Sequence, residues 1–448
     1  MRSSVRVLLL AFCCWLVAAQ AAHAQPESIQ EPPDSDAVAA TEPGPQTPTN
    51  WFEARLAIEA LAEAGDFAAA AALGDLLIEL VTEEFGPDSQ ELAEAYLLLA
   101  GAQKRNQDFT DAEDGILRAI EIFAGREGPG SPVLIDPFRE LGANYNQAGD
   151  YTAAISAYGE ARTIGRRNFG LLNQGQLEII DDITAAAEQL GDIEEAQKLQ
   201  LDAMTLVERI FGETSREAID ANYKYAAWLR SQRMYEDARG LYLRILRVVS
   251  RNYDDDPLMT VRALRERARS YRDEDSGDGL GISGLRDAIE VVEEMPDPPA
   301  LLLAELNLEA GDWYVEFSRG GGSIGGDYYA AAWQLLGNLD NGTELRRQWF
   351  EELTVIERSP VSNRGLSSDP DAPRGYVEIR FTVDRAGRAT GIEITDSFPA
   401  GLKDGAFMRQ YRNARFRPRI ENGQMVESRH ALRLEFRYQP LDLADDAE

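Results

Sequence analysis

One short pattern returns every 42 residues along the first part of the chain, and it constrains the fold more than any other feature. The pattern is a turn signal, then an aromatic or apolar residue, then alanine three positions later. It starts at Phe67 and recurs at Phe109, Tyr151, Ile193 and Tyr235. A constant interval of this length indicates a stack of similar structural units.

A second marker keeps the same 42-residue interval, so two independent patterns share one register. Phe85, Phe169 and Phe211 are each followed by glycine, with Glu127-Gly128 at the remaining place and a degenerate Tyr253-Asp254 after the last. Each unit is long enough for two helices of about 15 residues and two turns. The pattern therefore predicts an array of helix pairs.

Large and small residues also alternate where the helices of a pair should cross, at Leu99-Ala100, Leu141-Gly142 and Tyr225-Ala226. With the two markers, this resembles tetratricopeptide repeats of the longer, kinesin-light-chain-like type. The resemblance implies an α-solenoid whose first helices line a groove for extended peptides or protein surfaces.

We expect this solenoid over residues 51–357, with about seven helix pairs of which the last two are degenerate. Residues 273–279 interrupt the register. The recurring pair then becomes Leu285 with Ala288, and later Tyr328 with Ala331. Residues 319–326 are predicted to form a flexible turn because five of the eight are glycine.

Residues 374–440 follow a different pattern. The run from Tyr376 to Val383 alternates apolar and polar residues, which is typical of a half-buried strand. Ile392 to Ile394 resumes the alternation after a Gly-containing turn and completes a hairpin. A helix is predicted from Lys403 to Ala414, and a further strand from Ser428 to Tyr438. The expected order is strand, strand, helix, strand.

Several short motifs in this region occur in one order: residues 375–388, then Ile394-Thr-Asp-Ser397, Pro399-Ala-Gly401 and Arg415-Phe-Arg-Pro418. They resemble the C-terminal domain of the TonB family of periplasmic energy transducers. The resemblance implies a small α+β domain whose exposed edge strand captures a peptide of an outer-membrane transporter by strand addition. On the last strand we expect the peptide-binding edge to comprise Arg429, Ala431, Arg433, Glu435 and Arg437. The predicted fold class is thus multidomain, an all-α solenoid followed by this β-β-α-β domain.

The first residues predict export. Arg2 and Arg6 precede an apolar run from Val7 to Ala19, and Ala22-His-Ala24 is a small-residue cleavage site. We interpret residues 1–24 as a signal peptide and the periplasm as the destination. The alternative is an inner-membrane anchor through residues 7–24, although the run is shorter than the ~20 residues that span a bilayer. Residues 25–50 and 358–373 are predicted linkers, and 441–448 an acidic tail.

Composition excludes several functions. Both cysteines, Cys13 and Cys14, lie in the predicted signal, so disulfides, thiol nucleophiles and cysteine metal sites are not expected beyond it. His430 is then the one remaining histidine outside the signal. The formal charge of −32 argues against nucleic-acid binding. Charge is uneven, because residues 374–440 carry a net +5 and residues 25–373 a net −35. This asymmetry suggests domains with different partners.

No residue set assembles a catalytic or metal site, so neither an enzyme nor a cofactor is predicted. Gly320, Gly322 and Gly325 match a dinucleotide fingerprint by letter but do not follow a strand. Residues 273–278 miss the spacing of calcium ligands. His430 is expected to have a structural role. The aromatic residues of the repeats are expected to be mostly core: Tyr96, Phe138, Tyr145, Tyr158 and Tyr242.

Arginines are concentrated around the end of the predicted terminal helix, at Arg409, Arg412, Arg415, Arg417 and Arg419. They either bind an acidic partner or form a solvated face that favours the helix C-terminus. Both interpretations stay open from the sequence.

Two functions remain. In the first, the chain is a periplasmic TonB-like adaptor that binds peptides of outer-membrane transport proteins. In the second, it is an envelope scaffold without energy transfer, in which the terminal domain only docks or forms a homodimer. Proteins are the expected partners in both.

Overall fold

The computed structural model describes residues 47–318, 322–357, 361 and 365–439. The predicted signal peptide, nearly all of the first linker and the acidic tail lie outside these residues. The repeat region forms antiparallel helix pairs. Its helices are α1 (Trp51–Glu63), α2 (Phe67–Ala72), α3 (Gly74–Phe85), α4 (Gln90–Arg105), α5 (Phe109–Glu127), α6 (Ile135–Ala148), α7 (Tyr151–Phe169), α8 (Gln176–Leu190), α9 (Ile193–Phe211), α10 (Arg216–Ser231), α11 (Tyr235–Asn252), α12 (Pro257–Asp273), α13 (Gly279–Glu293), α14 (Ala300–Phe317) and α15 (Gly322–Leu336). The solenoid predicted from the repeat is confirmed.

The recurring turn has a physical cause. Gly149 and Gly191 end first helices in the left-handed conformation, with φ of 85° and 84°. The next residue, Asp150 or Asp192, caps the following helix by accepting a hydrogen bond from a backbone N–H. The two-residue motif therefore ends one helix and starts the next.

The same left-handed position returns at Arg233 and Asp275, again 42 residues apart, with φ of 63° and 58°. The left-handed turn position of the repeat thus recurs at residue 275, within the segment 273–279 that the sequence analysis took as an interruption. In the later helix pairs, glycine again lies where two helices come close together. Gly281 packs beside Trp313, and Gly325 packs beside the backbone of Gly311. Close approach of these backbones requires glycine.

The flexible turn predicted over residues 319–326 is wrong for its second half. Helix α15 begins at Gly322 and includes Gly325 and Gly326. A methyl group at Gly326 would clash with the side chain of Met425 in the terminal domain. The glycines therefore permit close packing of this helix against the terminal domain, although their number suggested a loop.

The terminal domain contains the predicted strands and helix, together with elements that the pattern did not predict. The chain between the last helix pair and this domain forms α16 (Gly342–Arg346), a π-helical turn at Arg347–Glu351 and strand β1 (Val355–Glu357). The elements of the domain itself are β2 (Arg374–Val383), β3 (Ala389–Phe398), α17 (Asp404–Asn413), β4 (Arg415–Phe416), β5 (Arg419–Glu421), β6 (Gln424–Val426) and β7 (Ser428–Arg437). Strand β1 falls inside the predicted solenoid boundary, yet it pairs with β4 of the terminal domain.

The main sheet of this domain has the order β3-β2-β7, with all neighbours antiparallel. Helix α17 covers one face of it. The core on that face joins Phe381, Tyr411 and Phe416, whose ring centroids lie 5.2 to 6.0 Å apart. His430 contacts the same core at 5.6 Å from the Phe381 ring, and its Nε2 lies 2.8 Å from the Ser428 hydroxyl.

The aromatic residues predicted to be core in the repeats are largely so. Tyr158 and Tyr242 are buried, while Tyr96, Phe138 and Tyr145 are partly buried against core clusters.

The terminal domain packs directly on the last helix pair, and the two belong to one compact unit that begins at Asn50. Ile420 of β5 and Met425 of β6 share an apolar cluster with Val315 of α14 and Tyr329 of α15. Strand pairing between β1 and β4 adds a backbone connection.

A buried ion pair lies in the middle of this junction. The Arg417 guanidinium donates two hydrogen bonds to the Asp312 carboxylate, at 2.9 and 2.7 Å, and a third to the Trp349 carbonyl at 3.0 Å. The Tyr329 hydroxyl also donates to Asp312, at 2.9 Å. The side chains of Arg417 and Asp312 are 11% and 7% exposed. Neither open interpretation of the arginine cluster therefore describes Arg417, because its acidic partner belongs to the same chain.

We predict that Arg417→Ala destabilises the docked terminal domain by about 3–5 kcal/mol, because it leaves the Asp312 carboxylate buried without its cation. Urea unfolding measures the loss, and hydrogen exchange of the β5–β6 hairpin locates it. The matched control is Arg409→Ala, an exposed position of α17, with an expected change within about 0.5 kcal/mol. Equal stability of the two variants would contradict the role of the pair.

Candidate peptide-binding edge

Strand β7 is an edge of the main sheet, and its backbone determines which residues a partner strand could reach. It pairs with β2 over ten residues in an unbroken register, from Arg374 opposite Arg437 to Val383 opposite Ser428. The next pair in that register is bonded, since the Tyr438 N–H donates to the Pro373 carbonyl at 3.1 Å.

Bonded and non-bonded residues alternate along an antiparallel pair. The even-numbered residues of β7 therefore direct their backbone groups at β2. The odd-numbered residues direct theirs away from the sheet: Arg429, Ala431, Arg433, Glu435 and Arg437. These are the five residues that the sequence analysis proposed for peptide binding.

Part of this outer edge is already occupied. The Ser367 N–H donates to the Arg437 carbonyl at 3.0 Å, and the Gln439 N–H donates to the Gly365 carbonyl at 3.3 Å. The Arg437 guanidinium also donates to the carbonyls of Pro370 and Ala372. The segment before β2 thus covers the end of the edge at Arg437.

The other four outward residues have no strand opposite them among residues 47–318, 322–357, 361 and 365–439. Their side chains are exposed as well. The free length is the seven positions from Arg429 to Glu435.

The opposite edge of the sheet, strand β3, is less suited to pairing. Its register with β2 shifts twice, between Glu378 and Ile379 and between Arg380 and Thr382. Irregularities of this kind twist an edge and discourage strand addition. The regular edge is β7.

The sheet face around β7 that α17 does not cover is polar. Arg433 lies 3.7 Å from the centroid of the Tyr376 ring and 3.1 Å from the Glu378 carboxylate. The Tyr376 hydroxyl donates to Asp396 at 2.8 Å, and this hydrogen bond raises its pKa. A partner strand on β7 would therefore lie near one cation, Arg433, and two carboxylates, Glu378 and Asp396.

In the solenoid, ion pairs connect the first helices of successive pairs. Examples are Lys104 with Glu140 at 2.6 Å, Arg139 with Asp182 at 2.9 Å and Arg265 with Glu309 at 2.8 Å. The Arg417–Asp312 pair continues this series from α14 into the terminal domain. The resulting face of first helices carries cations that are already paired.

A cleft of about 460 Å³ lies where this face meets the terminal domain. The positive and negative side chains that line it are equal in number: Arg230, Arg269 and Arg272 against Asp273, Glu309 and Glu316. Ile356 of β1 contributes an apolar side chain.

The acidic residues at 273–278 have structural roles. Asp273 forms an ion pair with Arg230 at 2.6 Å. Asp278 caps α13 by accepting from the Leu280 N–H. In the described ranges, no group of three or more His, Cys, Asp or Glu residues is arranged to hold a metal ion.

The carboxyl group of Glu316 lies in this cleft with a raised pKa. Burial raises its pKa from 4.5 to about 7, in spite of its 2.6 Å ion pair with Arg272, and the nearby Glu357 and Asp312 add to the rise. A raised carboxyl pKa means that the folded protein holds a proton that the unfolded chain has released.

We predict that Glu316 makes the protein less stable as pH rises from about 4.5 to about 7, with no further effect above. The sign follows because folding takes up a proton in that window. In Glu316→Gln this contribution is absent. Urea unfolding across the window measures the difference in unfolding free energy between the two proteins. A difference that does not change with pH would show that the carboxyl titrates normally.

Among the described residues, no helix combines the length and apolar character needed to cross a bilayer. The run at residues 7–24, proposed above as an alternative anchor, lies outside them. Gly320 of the dinucleotide-like pattern lies outside them too.

Comparison with known proteins gives one family match. Residues 372–438 match the family described as Gram-negative bacterial TonB protein C-terminal. No curated protein matches the chain.

Solved structures similar to the chain contain helical repeats. A putative kinesin light chain with nearly identical TPR-like repeats from Podosopora anserina is 13% identical, with 45% of this chain and 96% of that one covered and a TM-score of 0.37. The C-terminal part of a TPR repeat-containing protein from Cytophaga hutchinsonii is 15% identical, with 65% and 98% covered and a TM-score of 0.38. The apo form of RapI is 12% identical, with 64% and 97% covered and a TM-score of 0.36.

The family match confirms the predicted resemblance of the terminal domain, because residues 372–438 are similar to a TonB C-terminal domain. The repeat region is an array of helix pairs, as its interval predicted. Domains of both kinds bind proteins, so the chain has the parts of a protein-interaction scaffold.

Proposed function

We propose that this protein is a TonB-like adaptor of the periplasm that binds extended segments of outer-membrane transport proteins by strand addition. The incoming segment pairs with the outer edge of β7 and adds a fourth strand to the sheet. The single observation that carries the proposal is the row of outward backbone groups at Arg429, Ala431, Arg433 and Glu435 on a strand whose other side is fully paired.

Several features support this edge as the binding site. Strand addition obtains its affinity from main-chain hydrogen bonds, so it needs a regular strand, and β7 has no bulge against β2. The segment at Gly365–Ser367 limits the incoming strand to the positions before Arg437. The match of residues 372–438 to the TonB C-terminal family is consistent with an envelope location and a transport-protein partner.

The helix-pair array would hold or position a second protein in this scheme. Its net charge differs in sign from that of the terminal domain, as the sequence shows. Opposite charges favour different partners for the two parts.

We predict that Ala431→Pro weakens capture of a peptide while leaving the sheet intact. The Ala431 N–H points away from β2, so proline removes no bond of the β2–β7 ladder, a placement that edge strands tolerate. It does remove a donor to the incoming strand and obstructs its approach. Fluorescence anisotropy of a labelled TonB-box-type peptide with the full chain should show affinity reduced at least about tenfold.

The matched control is Ala431→Val, which keeps the N–H and should bind as the wild type does. Hydrogen exchange should show protection of residues 429–435 when peptide is added. Equal binding by the proline and valine variants, or protection confined to β3, would exclude β7 as the site.

A second function is favoured by the docked junction. An envelope scaffold without energy transfer needs the terminal domain only as a fixed docking or dimerising module, and the buried Arg417–Asp312 pair fixes it on α14. The N-terminal mass of the protein recovered from the envelope separates the two. A chain that starts at Gln25 cannot be an energy transducer anchored through residues 7–24, whereas a chain that starts at Met1 retains that segment.

A further inference from the structure

A second cleft, of about 210 Å³, lies far along the chain from β7, between helices α7 and α9. These are the second helices of two successive pairs. Ile180 and Leu206 contribute buried apolar surface to the cleft, and Leu171 and Leu172 of the loop before α8 complete it at one side. The cleft is therefore distinct from both the β7 edge and the junction.

The charge of this cleft is opposite to that of its surroundings. Arg162, Arg166 and Arg209 line it, and Asp202 is the one carboxylate among the lining residues. By contrast, residues 25–373 carry a net −35. A local excess of guanidinium groups gives this cleft a positive electrostatic potential within a region whose net charge is negative.

These arginines are also incompletely paired. Arg162 contacts Asp202 through Nη2 at 3.3 Å, while its Nε is buried and has no hydrogen-bond partner. Arg166 and Arg209 are exposed, and no ion pair joins either of them to a residue of the described chain. In the junction cleft, the arginines are matched by carboxylates. Unpaired guanidinium donors around a cleft are suited to carboxylates, which they bind in bidentate fashion.

Apolar side chains lie next to these cations. Leu171 and Leu172 are 62% and 55% exposed, and Phe169, at the end of α7, is 58% exposed. Neighbouring apolar residues of this size at a loop are unusual on a protein surface unless a partner covers them. A ligand for the cleft should therefore offer both carboxylates and an apolar side chain.

We propose that the α7–α9 cleft binds an acidic peptide segment of a partner protein, with Asp or Glu side chains on Arg166 and Arg209 and an apolar side chain against Leu171 and Leu172. The site is recessed between two helices, which suits a peptide better than a flat lipid surface. The net charge of −32 also repels the chain from an anionic membrane. This inference does not depend on the β7 edge, because it concerns a different surface and a different kind of recognition.

The test uses the full chain and a labelled synthetic peptide of alternating Glu and Leu, followed by fluorescence anisotropy. Arg166→Glu and Arg209→Glu should each weaken binding at least about tenfold, because each replaces a charge-assisted hydrogen-bond donor with a repelling carboxylate. Leu172→Ser should weaken it as well. Ala431→Pro should leave it unchanged.

The matched control is Arg167→Glu, which changes the same charge at an exposed position of the same helix that does not line the cleft. Circular dichroism melting verifies that all variants are folded. The proposal is overturned if Arg167→Glu weakens binding as much as Arg166→Glu, because attraction would then be non-specific. It is also overturned if a peptide of Gln and Leu binds equally well, if the Glu–Leu peptide does not bind, or if the two cleft variants instead lose binding to anionic phosphatidylserine vesicles.

Discussion

The buried pair of Arg417 and Asp312 is the interaction on which the arrangement of the two domains depends. Residues 105 positions apart in the sequence meet here through two hydrogen bonds, and Tyr329 supplies a third contact to the same carboxylate. Removing two charges from water is costly, and only good geometry with further hydrogen bonds offsets it. The pair is therefore directional: its two hydrogen bonds form only when Arg417 lies beside Asp312, and the apolar contacts of Ile420 and Met425 lie in the same junction.

Local patterns predicted the parts of this fold that local physics determines. Helix pairs followed from a 42-residue interval, since Gly149 ends one helix and Asp150 caps the next within two adjacent residues. Strands β2 and β7 followed from period-two alternation, because their inward residues cover a core and their outward residues meet water. The left-handed position at Asp275 was missed because the residue is not glycine and no aromatic residue follows it two positions later, so this turn was taken as part of an interruption.

Contacts between distant segments could not be predicted in the same way. Strand β1 is three residues long and pairs with β4, and Gly326 lies in a helix at a point where Met425 of a distant segment occupies the space beside it. The five outward residues of β7 could be named from alternation, yet that they form a free edge depends on the strand order β3-β2-β7. The partial cover by Gly365–Ser367 involves a segment whose composition indicated only a linker. Likewise, three separate arginines of α7 and α9 become one positive cleft only after the helices stack.

The docked junction also limits how the two parts can work together. A terminal domain on a flexible tether would search for its peptide independently, and the solenoid would only raise its local concentration. Here β1–β4 pairing and the Arg417–Asp312 pair join the domains, so a strand on β7 and a ligand on the helix pairs would be held at a fixed separation. A load applied to a peptide on β7 would pass through β2 and the β4–β5 segment into α14, because the sheet core, Phe416 and Arg417 are contiguous. Such a rigid connection suits a protein that positions one partner relative to another, whether or not energy passes through it.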